Sequence, residues 1–411
     1  MEKIDYVLLA AGQGTRLWPI TETIPKTMTR VLEKSLLEWM VESIYPNANK
    51  IIIVVGVFKE KIVEHFKNSK YSDKIEFVVQ EKQLGTAHAP LCAENKVTTP
   101  YFAVLAADSF WSPEFYSTFT AAVEKKVPFL VGCRVEDGER FGVIETKQKQ
   151  LAKITEKPKG VKNCLANTSS YFVPHNFFQN LKDVKPSSRG ELEVTDALTE
   201  FAASNAMEVL EFGGFWTDVG YFWHLLEANQ YALEHLMKSE IQGEVEEGVV
   251  VKGKLFVGKG SKVVAPCRID GNVYIGENCW VGPFSFLKDC TIESRCGIGS
   301  SEVKRSVLMR DTKAFHYTHL ADCVIGEDVN FGASTQSANL RLDKANVKIQ
   351  INKTVIDSGK RKLGCVIGSG ASLGCSAVIS PGILIGSKAM IYPNVNVTRN
   401  VESGETVKNT D

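Results

Sequence analysis

The sequence predicts an α/β half with a mostly parallel sheet, followed by a solenoid of short parallel strands. Three observations carry this reading. The first half alternates continuously apolar runs with helically spaced segments, the pattern of strands covered on both faces by helices. The second half repeats an aliphatic residue at every sixth position. The composition is globular: 411 residues, 44% hydrophobic and 23% charged, long enough for two domains and unlike a disordered, collagen-like or coiled-coil chain.

In the first half, residues 6–11 (YVLLAA), 50–55 (KIIIVV), Ile75–Val79 (IEFVV) and 102–106 (FAVLA) read as strands. Between them, Leu36–Ile44 and residues 58–66 carry helical spacing. Residues 222–240 are helically periodic and free of Gly and Pro, so they read as the helix closing this half.

The period changes near residue 247. Val257, Val263, Ile269, Ile275, Val281 and Leu287 form one unbroken run at a spacing of six, and Ile367, Leu373, Ile379, Ile385, Ile391 and Val397 form another. Ile325 and Phe331 keep the period between them, and glycine follows many of these positions. Each hexapeptide supplies one short strand and a corner, and three make a triangular coil. The aliphatic residue points inward and stacks on its equivalents above and below. Residues 341–362 break the period and read as a loop leaving the coil, with Lys344, Lys348, Lys360, Arg361 and Lys362 as candidate phosphate clamps.

The chemistry starts where the first strand ends. Strand YVLLAA runs into Gly12-Gln13-Gly14-Thr15-Arg16, followed by Pro25-Lys26. A glycine-rich turn there lets backbone N–H groups approach phosphates, and Arg16 and Lys26 add positive charge for a triphosphate. The turn lacks the GK[ST] of a Walker A loop and the third glycine of a dinucleotide fingerprint.

Charge and cysteine usage exclude other classes. Lys+Arg and Asp+Glu are both 48, so no global basic surface grips nucleic acid. No apolar stretch reaches the roughly 20 residues of a membrane span, and the start does not read as a signal peptide. Ten cysteines without a CxxC pair argue against a disulfide scaffold or zinc ribbon and for small buried side chains in a reducing cytoplasm.

The motif L-A-A-G-x-G-T-R-L-x-P-x-T…P-K resembles the signature of sugar-1-phosphate nucleotidyltransferases. Gln80…Gln83-Leu84-Gly85-Thr86-Ala87, Asp108, Phe141-Gly142-Val143-Ile144, Glu156-Lys157-Pro158, Asn167-Thr168, Gly190-Glu191-x-Glu193-x-Thr195-Asp196 and Trp216-x-Asp218-x-Gly220 follow in order. With the hexapeptide half added, nearly the whole chain resembles the bifunctional sugar-1-phosphate nucleotidylyltransferase/acetyltransferase family, in its archaeal form. The resemblance implies a Rossmann-like nucleotidyltransferase domain over residues 1–240. It implies a left-handed parallel β-helix of hexapeptide repeats, with acyltransferase activity, over residues 241–411.

The resemblance also implies roles. Ala10, Ala11, Gly12, Gly14, Thr15, Gln80, Gly85 and Thr86 would hold the nucleotide, and Arg16 and Lys26 would act in catalysis. Asp108 and Asp218 would hold Mg²⁺. Gly142, Glu156, Lys157 and Asn167 would line the sugar-phosphate pocket. A sugar-phosphate oxygen attacks the α-phosphorus of UTP and pyrophosphate leaves, so positioning and cations supply the catalysis without a protein nucleophile.

In the second half, residues 313–339 resemble the family's acetyltransferase segment. His316 would be the general base for the amine of glucosamine-1-phosphate, a task that suits a group titrating near neutrality. Asn330 and Asn339 would bind the amino sugar, and Ala333 would lie near the acetyl-CoA thioester. The chain departs from the family at Ala107, Thr27, His319 and Gly332-Ala333-Ser334, where the family has Gly, Pro, Tyr and Gly-Ala-Gly. A homotrimer assembled through the coil is expected from the class. Two alternatives stand beside this reading. One is a glucose- or mannose-1-phosphate nucleotidyltransferase with a purely structural coil. The other is a non-catalytic regulatory subunit, which would not need Arg16, Lys26, Asp108 and Asp218 together.

Overall fold

A computed structural model of the chain describes residues 2–352 and 354–409. By contacts the chain falls into two compact units. The first comprises residues 1–13, 25–28 and 35–218, and the second comprises 14–24, 29–34 and 219–411.

The first unit is built on nine strands. Their spatial order is Ile75–Val79, Ala48–Val55, Ile4–Ala10, Tyr101–Ala106, Lys162–Pro174, Phe129–Asp137, Glu208–Phe212, Gln150–Glu156 and Gly142–Lys147. The first four are mutually parallel and coincide with the four expected from sequence, within two residues at each end. Their apolar runs are buried on both faces: Val7, Leu8, Ile51, Ile52, Ile53, Val104 and Leu105 are fully enclosed. The rest is mixed, because Lys162–Pro174 runs antiparallel to both its neighbours. Gly142–Lys147 and Gln150–Glu156 are joined through Gln148 and Lys149, both at positive φ (52° and 64°), and so form an antiparallel hairpin.

Helix Leu36–Ile44 begins where the Ser35 hydroxyl accepts the Glu38 N–H at 3.1 Å, an N-cap. It buries Leu36, Leu37, Met40, Val41 and Ile44, the stripe that its spacing predicts. The connection order of the parallel strands reverses between Ile4–Ala10 and Tyr101–Ala106. Those two strands are direct partners, with Leu9 opposite Ala106. In open α/β sheets ligands bind beyond the carboxyl ends of the strands at such a reversal. The glycine turn after Ala11 and the carboxylate of Asp108 both leave the sheet there.

The second unit contains a run of short parallel strands, each paired with one about a coil further on: Lys262 faces Trp280, Val324 faces Val366, and Ser372 faces Met390. All fourteen periodic residues from Val257 to Val397 lie in one continuous core. At ~1.5–3 kcal/mol for burying an aliphatic side chain, that ladder is the main force holding the coils together. Residues 341–362 leave the coil as expected. Within them Lys348–Ile351 pairs antiparallel with Thr354–Asp357, and Val347, Ile349 and Ile351 are buried.

The helix expected over 222–240 stops earlier, at Phe222–His235, and groups with the coil. Glu240 and Ile241 form a strand against Phe256 and Val257 instead, and the Ser239 hydroxyl accepts the Leu255 N–H at 3.3 Å. Pairing with the first coil outcompetes continued helix at residues whose periodicity alone permits either.

Segments 14–24 and 29–34 are pinned within the second unit. Glu22 accepts hydrogen bonds from Trp18 Nε1 at 2.7 Å, from the Ser387 N–H at 3.0 Å and from the Ser403 hydroxyl. Arg30 pairs with the fully buried Glu293 at 2.7 Å and with Glu327 at 2.6 Å. Glu33 pairs with Arg310 at 2.8 Å. Among the described residues no helix is long and apolar enough to cross a membrane. All ten cysteines are free, and eight are buried, as a reducing environment permits; Cys375 is exposed.

Candidate functional site

Two carboxylates and a lysine meet beyond the reversal of the parallel strands. Ser109–Trp111 pairs antiparallel with Trp216–Asp218, and Ser109 lies opposite Asp218, which brings Asp108 and Asp218 side by side. The Trp216 indole N–H donates to the Ser109 hydroxyl at 3.2 Å and fixes that ladder. Lys26, on the short helix Lys26–Met28, is buried and reaches both acids. Its ammonium lies 2.5 Å from Asp108 Oδ2 and 3.1 Å from Asp218 Oδ1. Arg140, which no sequence motif marks, takes the other Asp218 oxygen at 3.1 Å. Its guanidinium sits over the Phe141 ring, 5.2 Å from the centroid.

This donor set fits a hard divalent ion. Two carboxylates are the oxygen donors such an ion takes from protein, and water and phosphate oxygens would complete the six that Mg²⁺ prefers. Among the described residues no group of three or more His, Cys, Asp or Glu stands ready to hold a metal alone.

The glycine turn and the nucleotide-side residues are held from several directions. Gly14 has φ 67°, left-handed backbone that glycine adopts without penalty, and its carbonyl accepts the Thr21 hydroxyl at 2.9 Å. Thr15 and Arg16 are exposed on the short helix that follows. Arg16 lies over the Tyr221 ring at 5.3 Å, and Tyr221 stacks on Trp223 at 4.4 Å. In the first unit Gln83 Nε2 donates to the Ala11 carbonyl at 2.6 Å, Ala10 and Ala11 are buried, and Gly12 is exposed. Gln80 is buried beside His88, with 3.0 Å between Nε2 and the imidazole Nδ1. Gly85 has φ 129°, and a Cβ there would stand 2.4 Å from the Leu192 backbone. Thr86 accepts the Val194 N–H at 2.9 Å, while its hydroxyl reaches Glu193 at 3.5 Å.

The expected sugar-phosphate residues come together on three neighbouring strands. Gly142 is paired with Glu156, and Val143, next to it, with Ala166, the neighbour of Asn167. A Cβ on Gly142 would come within 3.1 Å of Glu156 Oε2, so glycine keeps the carboxylate close to the backbone. Burial pushes the Glu156 carboxyl above its ordinary value, and the nearby Glu193 adds to this. Lys157 is 3.6 Å from Glu156 and exposed. Glu193, named in the G-E-x-E-x-T-D motif but given no role there, is nearly fully buried and pairs with Arg189 at 2.6 Å.

On the coil, His316 is exposed on strand Lys313–Ala321. Ser300 faces His316 and Glu302 faces His319, so one extra residue bulges out between them, and Tyr317 takes φ 52°. Such a bulge re-aims neighbouring side chains. The Ser334 N–H donates to the His316 carbonyl at 2.8 Å, and the Ser376 N–H to the Ala333 carbonyl at 2.8 Å. His316 and Ala333 therefore sit on successive coils at one corner. Asn330 lies on the strand leading to that corner and faces Lys313. Asn339 lies further along the chain, its amide 2.5 Å from Asp322, which is itself paired with Arg305 at 2.6 Å. His319 Nδ1 is 3.2 Å from the Ser337 carbonyl oxygen. Of the insertion's basic residues, Lys360 is paired with Glu227 at 2.6 Å.

The nucleotidyl transferase family model matches residues 6–235. A protein from Methanococcus vannielii named "Bifunctional protein GlmU" is 36% identical over 99% of this chain and 98% of its own. A "Bifunctional sugar-1-phosphate nucleotidylyltransferase/acetyltransferase" from Sulfurisphaera tokodaii is 37% identical over 98% of this chain and 99% of its own. The chain belongs to this bifunctional transferase family. Within it, residues 251–356 match the model of the GMPPB C-terminal domain. Among solved structures, UDP-glucose pyrophosphorylase complexed with UDP-glucose is similar, with a TM-score of 0.51 and 26% identity over 57% of this chain and 99% of that one. A putative glucose-1-phosphate thymidylyltransferase from Bacillus anthracis gives a TM-score of 0.52 with 28% identity over 57% of this chain and 97% of that one. The chain is thus a nucleotidyltransferase and acetyltransferase of the bifunctional type.

Proposed function

We propose that the chain acetylates glucosamine-1-phosphate with acetyl-CoA and then joins the resulting N-acetylglucosamine-1-phosphate to UTP, releasing pyrophosphate and UDP-N-acetylglucosamine. The two activities divide near residue 240: nucleotidyl transfer belongs to 1–240 and acyl transfer to a left-handed β-helix over 241–411. The observation that carries the nucleotidyl step is the meeting of Lys26, Asp108 and Asp218 beyond the strand reversal.

In that step Ala10, Ala11, Gly12, Gly14, Thr15, Gln80, Gly85 and Thr86 hold the nucleotide. Gly142, Glu156, Lys157 and Asn167 hold the sugar phosphate against it. Arg16 and Lys26 place positive charge on the phosphates, so that the attacking oxygen meets an α-phosphorus already aligned with its leaving group. Asp108 and Asp218 would hold Mg²⁺, which supplies charge neutralisation on the pyrophosphate when bound. In the acetyl step His316 takes the proton of the amine while Asn330 and Asn339 orient the sugar and Ala333 borders the thioester. The exposure of His316 is what a base open to an incoming amine requires.

The enzyme is proposed to act in the cytoplasm as a homotrimer joined along the coil. Exposed apolar side chains on the coil support this: Trp280, Phe284, Tyr317, Met390 and Tyr392 are 46–71% exposed.

A second reading is favoured by the GMPPB C-terminal domain match: nucleotidyl transfer to glucose- or mannose-1-phosphate, with the coil as scaffold only. His316→Ala separates the two. It is expected to abolish CoA release and spare pyrophosphate release; unchanged CoA release, or none in the parent enzyme, favours the scaffold. Asp108→Asn is expected to lower pyrophosphate release by about 10²-fold or more while CoA release continues. A parent enzyme that releases no pyrophosphate from UTP with any sugar phosphate would defeat the nucleotidyl half.

A further inference from the structure

The two carboxylates beyond the strand reversal already hold a cation of their own. The Lys26 ammonium contacts Asp108 Oδ2 and Asp218 Oδ1 at once, at 2.5 and 3.1 Å, and its side chain is only 8% exposed. The second oxygen of Asp218 is engaged by Arg140 at 3.1 Å. Lys26 and Arg140 thus compensate the pair's charge, and the lysine takes up one oxygen of each acid that would hold a divalent ion.

We propose that Lys26 is the resident counter-ion of this site and competes directly with the divalent cation for Asp108 and Asp218. Three physical facts make the competition unavoidable. First, one ammonium within hydrogen-bond distance of both carboxylates takes up an oxygen of each acid that would hold the divalent ion. Second, a lysine ammonium and a divalent ion held by the same two oxygens repel each other, so both cannot remain at these distances. Third, lysine carries its charge on a flexible four-carbon stem with three rotatable donors, so it can leave without moving the backbone. Arg140 is the opposite kind of partner: planar, held over Phe141 and bonded to the other oxygen, it keeps Asp218 oriented while Lys26 comes and goes.

The consequence is an order of loading. With Lys26 in place the site has low affinity for a free divalent ion. An anion that draws Lys26 onto itself uncovers both carboxylates at the moment its own oxygens arrive to complete the metal's shell. That consequence rests on the nucleotidyl reading, since a triphosphate is the anion that does this. The competition itself does not rest on it.

The probe is Mn²⁺ alone, which shares the carboxylate and water preference of Mg²⁺ and is read directly by its EPR signal. It is titrated into the full-length enzyme without nucleotide. Lys26→Met removes the charge shared by the two carboxylates and leaves Arg140 as the cation held against Asp218. It is expected to bind one Mn²⁺ at least about tenfold more tightly than the parent, equivalent to ~1.4 kcal/mol. Adding Asp108→Asn to Lys26→Met should abolish the gain, and Lys26→Arg, which restores a cation, should return affinity to the parent level. Equal or weaker Mn²⁺ binding by a folded Lys26→Met enzyme overturns the proposal.

The parent enzyme gives a test that does not depend on any variant folding. Crystals soaked in Mn²⁺ without nucleotide are expected to keep the lysine between the carboxylates and to lack anomalous density there. Metal density with the Lys26 ammonium still contacting both acids refutes the competition. Because neither measurement uses nucleotide or turnover, failure of the uridylyl reading would leave the result standing on its own.

Discussion

At the scale of single residues, glycine and carboxylate placement determines what the first unit can bind. Gly85 combines a φ of 129° with a Cβ position only 2.4 Å from the Leu192 backbone, so no side chain fits without moving main chain. The close approach lets Leu84 and Ala87 zip onto Leu192 through two backbone hydrogen bonds of 2.8 Å, which sets Thr86 beside Glu193 and Val194. Gly85→Ala is expected to destabilise the protein by about 1–3 kcal/mol through backbone strain and to raise KM for the nucleotide. Denaturant unfolding and pyrophosphate release measure the two effects; a variant with parent stability and KM would mean that the loop relaxes freely. Gly85 and Thr86 were legible from sequence because their motif is local. Arg140 was not, since it acts through a partner remote along the chain: Asp218 is 78 residues from Arg140.

At the scale of elements, hydrophobic period was the dependable signal and chain ends were not. The fourteen hexapeptide aliphatics are all core because burial enforces the spacing, whereas Ile292, Ile298, Val303, Leu308 and Leu320, which line the core between Leu287 and Ile325, fall off the six-residue period and escape that pattern. Helix 222–235 ended five residues early because its last turn was claimed by strand pairing, which periodicity cannot report. The antiparallel half of the first sheet was equally hidden, since strand direction depends on turns such as Gln148-Lys149 rather than on apolar pattern. Segment 14–24 is the least expected case: its motif belongs to phosphate chemistry, yet its anchor is the coil. Burial alone would raise the Glu22 carboxyl, but hydrogen bonds from Ser403, Ser387 and Trp18 outweigh burial and hold it below its ordinary value. A lowered folded value stabilises the anchored form above the unfolded value of about 4.3 and loses that stabilisation as pH falls through the lower folded value. Amide protection in 14–24 and at Ser387 is expected to be constant from pH 7 to about 5 and to fall below pH 4, earlier than protection in the coil core. Protection factors that decline together across the whole unit would mean that Glu22 carries no local anchor.

At the scale of the whole molecule, the coil's inner and outer faces answer different needs. The inner face is a closed aliphatic ladder and is satisfied within one chain. The outer face is not: Phe284 and Tyr317 are 69% and 71% exposed, and Trp280, Met390 and Tyr392 about half exposed. Of these, Tyr317 directly follows His316 in the chain, and Met390 and Tyr392 lie on and beside one strand of a later coil. A lone exposed aromatic needs no explanation, but several on one coil domain, one of them next to the proposed acetyl-transfer base, do. In the proposed trimer these side chains are covered by a second copy, and the His316 corner becomes a cleft between two chains instead of an open ridge. A cleft excludes water and supplies a wall for the thioester; a ridge does neither. Phe284→Glu with Tyr317→Glu places charge on that surface without touching the inner ladder. The double variant is expected to sediment as a monomer, to lose CoA release and to retain pyrophosphate release, because the Lys26–Asp108–Asp218 cluster lies within a single unit. A parent enzyme that is itself monomeric at assay concentration and still releases CoA would show that one chain completes the acetyl site alone.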